Sequence, residues 1–329
     1  MALQSDSGEP VQINPAWLDR ARYIEFLNQS FPRQWDPRAY DWYMARGFNG
    51  RRSDILVRAD GSRVLSGMTL CYRQIDVGSG APIEIAVLSA GATLATERGR
   101  GHYPALLQTA LERLRERSCV AAVGFVTRDN VSGRGLMRIG ARAIPSYYVV
   151  SPANPHVTFG SKARRPEPAC LAPPRRREDL VSGIESLARL VTPAQISDSS
   201  GVPRAHFHYE RAEDWRQQFL QRPNTVHIVR LAHDSYAAIE TVRDTDRLQL
   251  LVCPDRKRTR NIGALAAASA AAGRNFFMYT LDPTEAAAAR RAHLRMRAGY
   301  LMLQPTGVQG DGWDRLAGAV WRVQSGDRM

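Results

Sequence analysis

The run Arg98-Gly99-Arg100-Gly101-His102-Tyr103 is where this sequence is best equipped for chemistry. It separates a short alternating stretch, Ala90 to Thr96, from an amphipathic helix expected over Ala105–Arg117. A strand, a glycine-containing arginine turn and a helix make a cradle for phosphate. The first N–H groups of a helix have no intrahelical partner, and the helix dipole places partial positive charge at the same end. Gly101 has no Cβ, so the backbone there can approach a ligand or take a positive φ. Arg98 and Arg100 add fixed charge and planar donors suited to phosphate oxygens. The competing reading of the same residues is a basic first turn on an ordinary surface helix.

The elements around this run set its position. Helical spacing starts near Pro15-Ala16-Trp17 and continues through Tyr23, Phe26 and Leu27, and a second helical segment runs from Pro37 to Met44. Strands are expected at Ser53–Ala59, Val64–Gln74, Ile83–Leu88 and Gly91–Thr96. After the arginine turn and its helix come a buried strand at Val120–Thr127, a helical patch at Gly133–Arg138 and a strand at Ser146–Val150. Pro152 to Asp179 is rich in proline, carries Arg164-Arg165 and Arg175-Arg176-Arg177, and has no apolar periodicity, so it reads as a linker. A second ordered pattern follows, with helices at Val181–Leu190 and Ala212–Gln221 and strands at Thr225–Leu231, Tyr236–Arg243 and Leu248–Val252. An alanine-rich helix at Asn261–Ala272, a strand at Asn275–Thr280, a helix at Pro283–Ala298 and a strand at Tyr300–Gln304 complete it. Both halves list helices, antiparallel strands, helix, strand, helix and strand, which is a weak internal duplication. The expected units are residues 1–151, a linker over 152–180, and residues 181–329.

Composition narrows the classes. Of 329 residues, 44% are hydrophobic and 23% charged, as in a globular protein. No apolar run reaches the roughly 18 residues of a membrane-spanning helix, and the first residues lack a basic-then-apolar signal segment. Cys71, Cys119, Cys170 and Cys253 are far apart with no ligand spacing, which points to free thiols in a reducing compartment, a cytoplasmic location and no metal site. The net charge of +13 comes almost wholly from arginine, since Lys162 and Lys257 are the two lysines present. Part of that bias matches a GC-rich coding genome, and the remainder implies affinity for anions. Nucleic-acid binding is the lesser alternative, because outside the proline-rich stretch the arginines are scattered.

With these residues in view, the first half resembles the GNAT family of acyl-CoA-dependent N-acyltransferases. The family signature, Arg/Gln-x-x-Gly-x-Gly/Ala before an Ala-Leu-Leu-like helix start, reads here Arg98-Gly99-Arg100-Gly101-His102-Tyr103, then Pro104-Ala105-Leu106-Leu107. The resemblance implies a coenzyme A thioester as co-substrate, with Arg98 to Tyr103 lining its pyrophosphate mainly through backbone amides and Ala95 and Thr96 also contacting it. Tyr103 departs from the pattern, which places glycine or alanine there, so its side chain is expected to point away from the phosphate. A second block, Val123-Gly124-Phe125-Val126-Thr127-Arg128-Asp129-Asn130 followed by Leu136-Met137-Arg138-Ile139-Gly140-Ala141, also matches. The resemblance implies a contact from Asn130 to the pantetheine arm. Met137 stands where a tyrosine of the family protonates the leaving thiolate. In the second half, Arg260-Asn261-Ile262-Gly263-Ala264-Leu265 is the expected helix equivalent without the Gly-x-Gly cradle.

Transfer of an acyl group from a thioester to an amine calls for a polarised carbonyl, a base for the amine and a proton for the thiolate. Backbone N–H groups over Gly91–Thr96 are placed to stabilise an oxyanion. Glu84 is a candidate base or a strand-edge glutamate, and Glu97 an ion-pair partner of Arg98 or Arg100. His102, at the helix start, is a candidate base kept neutral by the dipole or a solvent-facing residue. Tyr147 and Tyr148 are candidates for the missing acid, and as strand neighbours at most one faces a cleft. His206 and His208 share a face if extended and either reach an acceptor between the halves or are structural. Trp35, Trp42 and Tyr43 fall where acceptor loops lie in the family, or they pack a helix core.

The expectation is an α+β protein of two tandem GNAT-like domains, each a mixed, mostly antiparallel twisted sheet flanked by helices. The first would bind an acyl-CoA and acylate a primary amine of a small molecule or natural product such as an aminosugar of an antibiotic. Members of this type acylate antibiotics, aminoglycosides or thiol precursors. The alternatives are a non-catalytic acyl-CoA sensor and an arginine-rich nucleic-acid-binding protein.

Overall fold

The computed structural model describes residues 10–151 and 204–328, apart from residues 33, 34, 79, 233, 234, 292 and 293. The expected linker over 152–180 with its arginine clusters, Cys170 and the expected helix at Val181–Leu190 lie outside the described residues.

Thirteen strands join into one sheet. In chain order they are β1 (Gln12–Ile13), β2 (Asp54–Asp60), β3 (Arg63–Val77), β4 (Ile83–Thr93), β5 (Ala121–Thr127), β6 (Arg142–Ser151), β7 (Arg204–His208), β8 (Val226–Ala232), β9 (Ser235–Val242), β10 (Thr245–Val252), β11 (Asn275–Thr280), β12 (Arg295–Pro305) and β13 (Val320–Trp321). Their spatial order is β1-β2-β3-β4-β5-β12-β6-β11-β10-β9-β8, with β7 pairing β3 and β13. Helices cover the sheet, giving the expected α+β architecture with two halves of like topology.

The two halves exchange strands. β12 lies between β5 and β6, and β6 lies between β12 and β11. β6 and β12 pair antiparallel from Arg142↔Leu303 to Val150↔Arg295, so each half completes its sheet with a strand of the other. Gly299 sits at this crossing. A Cβ there would lie 2.6 Å from the Val126 carbonyl oxygen and closer still to the Tyr148 ring. Backbone cannot yield as a side chain can, so Gly299→Ala is expected to destabilise the protein by roughly 3 kcal/mol. A urea titration measures this, and an unchanged midpoint would contradict the packing described.

In each half two parallel neighbours pair briefly and then part. β4 and β5 pair from Ile85↔Ala121 to Val87↔Val123, and β10 and β11 from Thr245↔Asn275 to Arg247↔Phe277. Each first strand also carries a bulge, between Ser89 and Ala92 in β4 and at Leu248–Leu250 in β10. The β4 bulge puts Ala90 at φ 50°, a left-handed conformation that breaks the alternation. This is why Ile83–Leu88 and Gly91–Thr96 read as two strands although the chain forms one.

Among the described residues of the first half are α1 (Arg20–Ser30), α2 (Pro37–Tyr40), α3 (His102–Glu116) and α4 (Val131–Arg138). The Asp19 and Asp36 side chains cap α1 and α2 by accepting from Arg22 and Ala39 N–H. Leu106, Ala110 and Leu114 of α3 are buried on Leu56, Met68, Leu70, Ala86 and Ala122 of the sheet. Arg113 and Arg115 in its last turn complement the dipole. Trp35, Trp42 and Tyr43 are buried with Tyr23, Phe26 and Leu27 in the core under α1 and α2. They pack that core.

Candidate functional site

The loop from β4 to α3 spans residues 94–101. It opens with a short turn, Ala95–Glu97, and contains Gly99 at φ 86° and Gly101 at φ 76°. Gly101 is the N-cap of α3. Both conformations suit glycine, and nothing lies within 4 Å of where a Cβ would stand at either position. Pro104 has no N–H, so the helix offers the amides of His102 and Tyr103, after which Ala105 N–H returns to the Gly101 carbonyl. Arg98 and Arg100 are exposed on this loop, and Arg100 pairs with buried Glu97 at 2.9 Å. The sequence thus folds into a loop with two left-handed glycines and two exposed arginines at the start of α3.

Beyond this loop, α3 and α4 pack beside the stretch of β4 that has parted from β5, and the space between their first turns is the groove considered below. Leu107, Val126, Leu136 and Met302 are buried together beneath it, and Leu88 and Tyr103 pack against them. Asn130 caps α4, its Oδ1 accepting from the Ser132 N–H at 2.9 Å and hydroxyl at 2.6 Å. Gly133 allows α4 to approach the sheet, since a Cβ there would stand 2.9 Å from Val126. Met137 is 42% exposed, as are Val131 and Ile139 in larger part, so α4 presents no phenol at that position. Tyr103 turns into this groove.

The opposite face of the sheet carries rings from both halves. Phe125 of β5 meets Tyr279 of β11 edge-on at 5.5 Å and stacks on Phe207 of β7 at 6.5 Å. Tyr148 lies 5.2 Å from Tyr279, and the Arg328 guanidinium stands over Tyr148 at 4.8 Å and Tyr279 at 5.0 Å. Burial raises the Tyr279 phenol far above its ordinary range, so it holds its proton. Deeper in, fully buried Arg73 lies between Phe48 and Phe207, and its Nη2 donates to the Tyr209 hydroxyl at 2.6 Å. That hydroxyl donates in turn to Asp327 at 2.6 Å.

Burial lifts Asp327 from 3.8 to about 6, against the charge of Arg73 and the hydrogen bonds from Tyr209 and Gln324. A raised carboxyl pKa means that the unfolded chain releases this proton first as pH rises. Stability from this group is therefore fully present below about pH 4 and is lost as pH rises through about 6. Relative to Asp327→Asn, the wild type should lose on the order of 3 kcal/mol across that window. Parallel pH-stability curves for the two proteins would contradict it.

Glu84 pairs with Arg51 at 3.0 Å and accepts from Gln74 at 2.7 Å, roughly 20 Å along β4 from the bulge. His102 is buried on the other side of α3, 3.7 Å from Glu97, rather than solvent-facing. Burial, then the charge of Arg58, lowers its pKa, so the ring stays neutral for those reasons rather than through the dipole alone. Tyr147 faces the helix Pro283–Arg291, with Arg290 over its ring at 5.7 Å, while Tyr148 faces the rings just described. His206 and His208 do share a face in β7. Both approach Asp76, at 3.9 and 3.4 Å, and burial lowers the His206 pKa. The structure thus brings together the backbone of Ala95, Thr96 and Arg98–Tyr103 and, on neighbouring α4, Asn130. Tyr148 lies on the far face, and Glu84, the His102 side chain, Tyr147 and His206 lie apart from the parted strands. Phe125, Tyr279 and Arg328 were not singled out in the sequence, because only the strand exchange assembles them.

The second half has the parted strands without the cradle. Only Cys253 and Pro254 link β10 to its helix, Asp255–Ala271, where residues 94–101 do so in the first half. Arg260–Leu265 therefore lies inside that helix and not at its start. The gap itself is taken by the chain's C-terminal segment. Leu251 N–H donates to the Gln324 side chain at 3.3 Å, and Tyr279 N–H donates to Ser325 Oγ at 3.1 Å. The Gly326 carbonyl accepts from Gln218 and Arg222.

Comparisons with known proteins agree with this geometry. Residues 18–134 match the sequence profile of an acetyltransferase (GNAT) domain. The fold is similar to N-myristoyltransferase of Saccharomyces cerevisiae with bound myristoyl-CoA, at 11% identity and TM-score 0.57, covering 91% of this chain and 85% of that one. It is similar to a tandem GNAT protein from the clavulanic acid biosynthesis pathway, at 13% identity and TM-score 0.52, covering 91% and 100%. A GCN5-related N-acetyltransferase from Kribbella flavida aligns at 15% identity and TM-score 0.51, covering 89% and 70%. No curated protein sequence matches the chain.

Proposed function

Because residues 18–134 form a GNAT acetyltransferase domain within a tandem GNAT fold, we propose that this protein is an acyl-CoA-dependent N-acyltransferase with its donor site in the first half. The carrying observation is the contrast between the halves. Both have parted strands, but among the described residues only the first adds the Gly99–Gly101 loop, and only the second has its gap taken by Gln324 and Ser325. The residues present fit a coenzyme A diphosphate. The amides of residues 99–103 and the side chains of Arg98 and Arg100 would hold it. When bound, that group supplies the acyl thioester. The chain's own part is to bind it, to orient it along β4 and to exclude water with the Leu107–Val126–Leu136 floor.

The acceptor in this reading is a primary amine of a small molecule, and aminosugars of natural products are the first class to test. The reaction is placed in the cytoplasm, and among the described residues no helix is long and apolar enough to cross a membrane. Nucleic acid is not a partner in this reading.

A thiol-release assay with a panel of acyl-CoAs and amines tests the activity, and turnover with a donor–amine pair is the expected result. The second reading, an acyl-CoA sensor without catalysis, is favoured by one feature: α4 exposes Met137 where the family resemblance implies a proton-donating tyrosine. Tight coenzyme binding with no turnover across the panel would select it.

A further inference from the structure

Tyr103 stands between β4 and α4. A Cβ built on Gly91 would lie 3.1 Å from its ring Cε2, and Gly91 belongs to the stretch of β4 that has parted from β5. On the other side, a Cβ built on Gly135 of α4 would lie 3.7 Å from its Cε1. The phenol is turned toward Ser132, whose own hydroxyl donates to Asn130 at 2.6 Å. The ring therefore spans from the freed edge of β4 to α4. Gly91, which would otherwise be an unexplained gap in the strand's side chains, makes room for this ring.

We propose that Tyr103 is a latch on the coenzyme groove: its side chain must swing out from between β4 and α4 before the arm of a coenzyme A thioester can lie along the parted strands. The proposal rests on the reading of the first half as the acyl-CoA site. The ring is only half-buried, so it can turn to another helix rotamer without unfolding α3. Apparent affinity is then the intrinsic affinity reduced by the fraction of molecules with the latch open. Opening governs how fast the coenzyme binds and leaves its dissociation unaffected.

Calorimetric titration of the full chain with desulfo-coenzyme A, an unreactive probe, measures the effect. Tyr103→Ala should bind about tenfold more tightly than wild type, Tyr103→Leu, with its smaller side chain, about fivefold more tightly, and Tyr103→Phe, which keeps the ring, within about twofold of wild type. Stopped-flow binding should place the gain in the association rate. Equal or weaker binding by Tyr103→Ala and Tyr103→Leu, each with wild-type circular dichroism, would overturn the latch and make Tyr103 a contact for the coenzyme. Absence of binding by wild type and every variant would overturn the acyl-CoA reading itself, and the latch with it. Binding by wild type with no gain in those two variants overturns the latch alone.

Discussion

Arg98→Ala combined with Gly101→Asp is expected to weaken coenzyme A binding at least about a hundredfold while leaving the fold intact. Gly101 caps α3 at φ 76° and ψ 3°, with nothing within 4 Å of a Cβ position. Aspartate is among the residues that tolerate this left-handed region, at a cost of about 1–2 kcal/mol. Its carboxylate at the helix start also complements the dipole, which offsets part of that cost. The same carboxylate would occupy the place of the coenzyme's phosphate oxygens and repel them. Loss of the Arg98 guanidinium removes a charge-assisted hydrogen bond of about 1.5–3 kcal/mol, and repulsion adds to it. Together these reach about 3 kcal/mol, or two decades in affinity. Calorimetry and thermal unfolding measured side by side check both parts. Undiminished affinity would refute the cradle.

The second large effect lies in the buried charge network that joins the halves. Glu240 is fully buried; it accepts from Arg222 at 2.9 Å, Gln249 at 2.7 Å and Asn224 at 2.6 Å. Burial opposes its charge, but the Arg222 guanidinium and the hydrogen bonds from Asn224 and Arg222 outweigh burial and hold its carboxyl below the usual range. Arg222 in turn lies over Trp42 of the first half at 4.1 Å and donates to the Gln218 carbonyl at 2.8 Å. Arg46, next to Trp42, is bonded to Gln218, and burial followed by the charges of Arg73 and Arg222 depresses its pKa. Glu240→Ala would leave a buried guanidinium beside two others without its carboxylate. The expected loss is about 3–5 kcal/mol of stability, read from denaturant unfolding. A loss below about 1 kcal/mol would mean that the network does not hold the halves together.

Local features of the site were legible because they are contiguous. The glycines at 99 and 101, the helix that follows and the Asn130 block stand in sequence order, and each works through its own backbone. Strand periods were legible too, but a period of two says nothing about which strand lies alongside. Ser146–Val150 and Tyr300–Gln304 read as the last strands of their own halves, and the structure exchanges the strands that contain them. That exchange also shortens an expected helix. The alanine-rich pattern from Pro283 continues to Ala298, yet the helix ends at Arg291, because Arg295–Ala298 pair with Tyr147–Val150. Tertiary pairing there overrides propensity.

Other features left no local signal. Gln324, Ser325 and Asp327 follow no apolar pattern, and their roles come from the gap and the buried arginine they meet. Glu84 has the chemistry of a base but sits at the end of β4 where the strands are still paired. Tyr103 was visible as a departure from the family pattern, but its direction depends on Gly91 and Ser132, which lie far from it in sequence.

If one half of the duplicated fold carries a coenzyme site and the other has filled its own, calorimetric titration of the full chain with desulfo-coenzyme A gives one molecule bound per chain. Two per chain, or none, would show that the halves do not differ in this way.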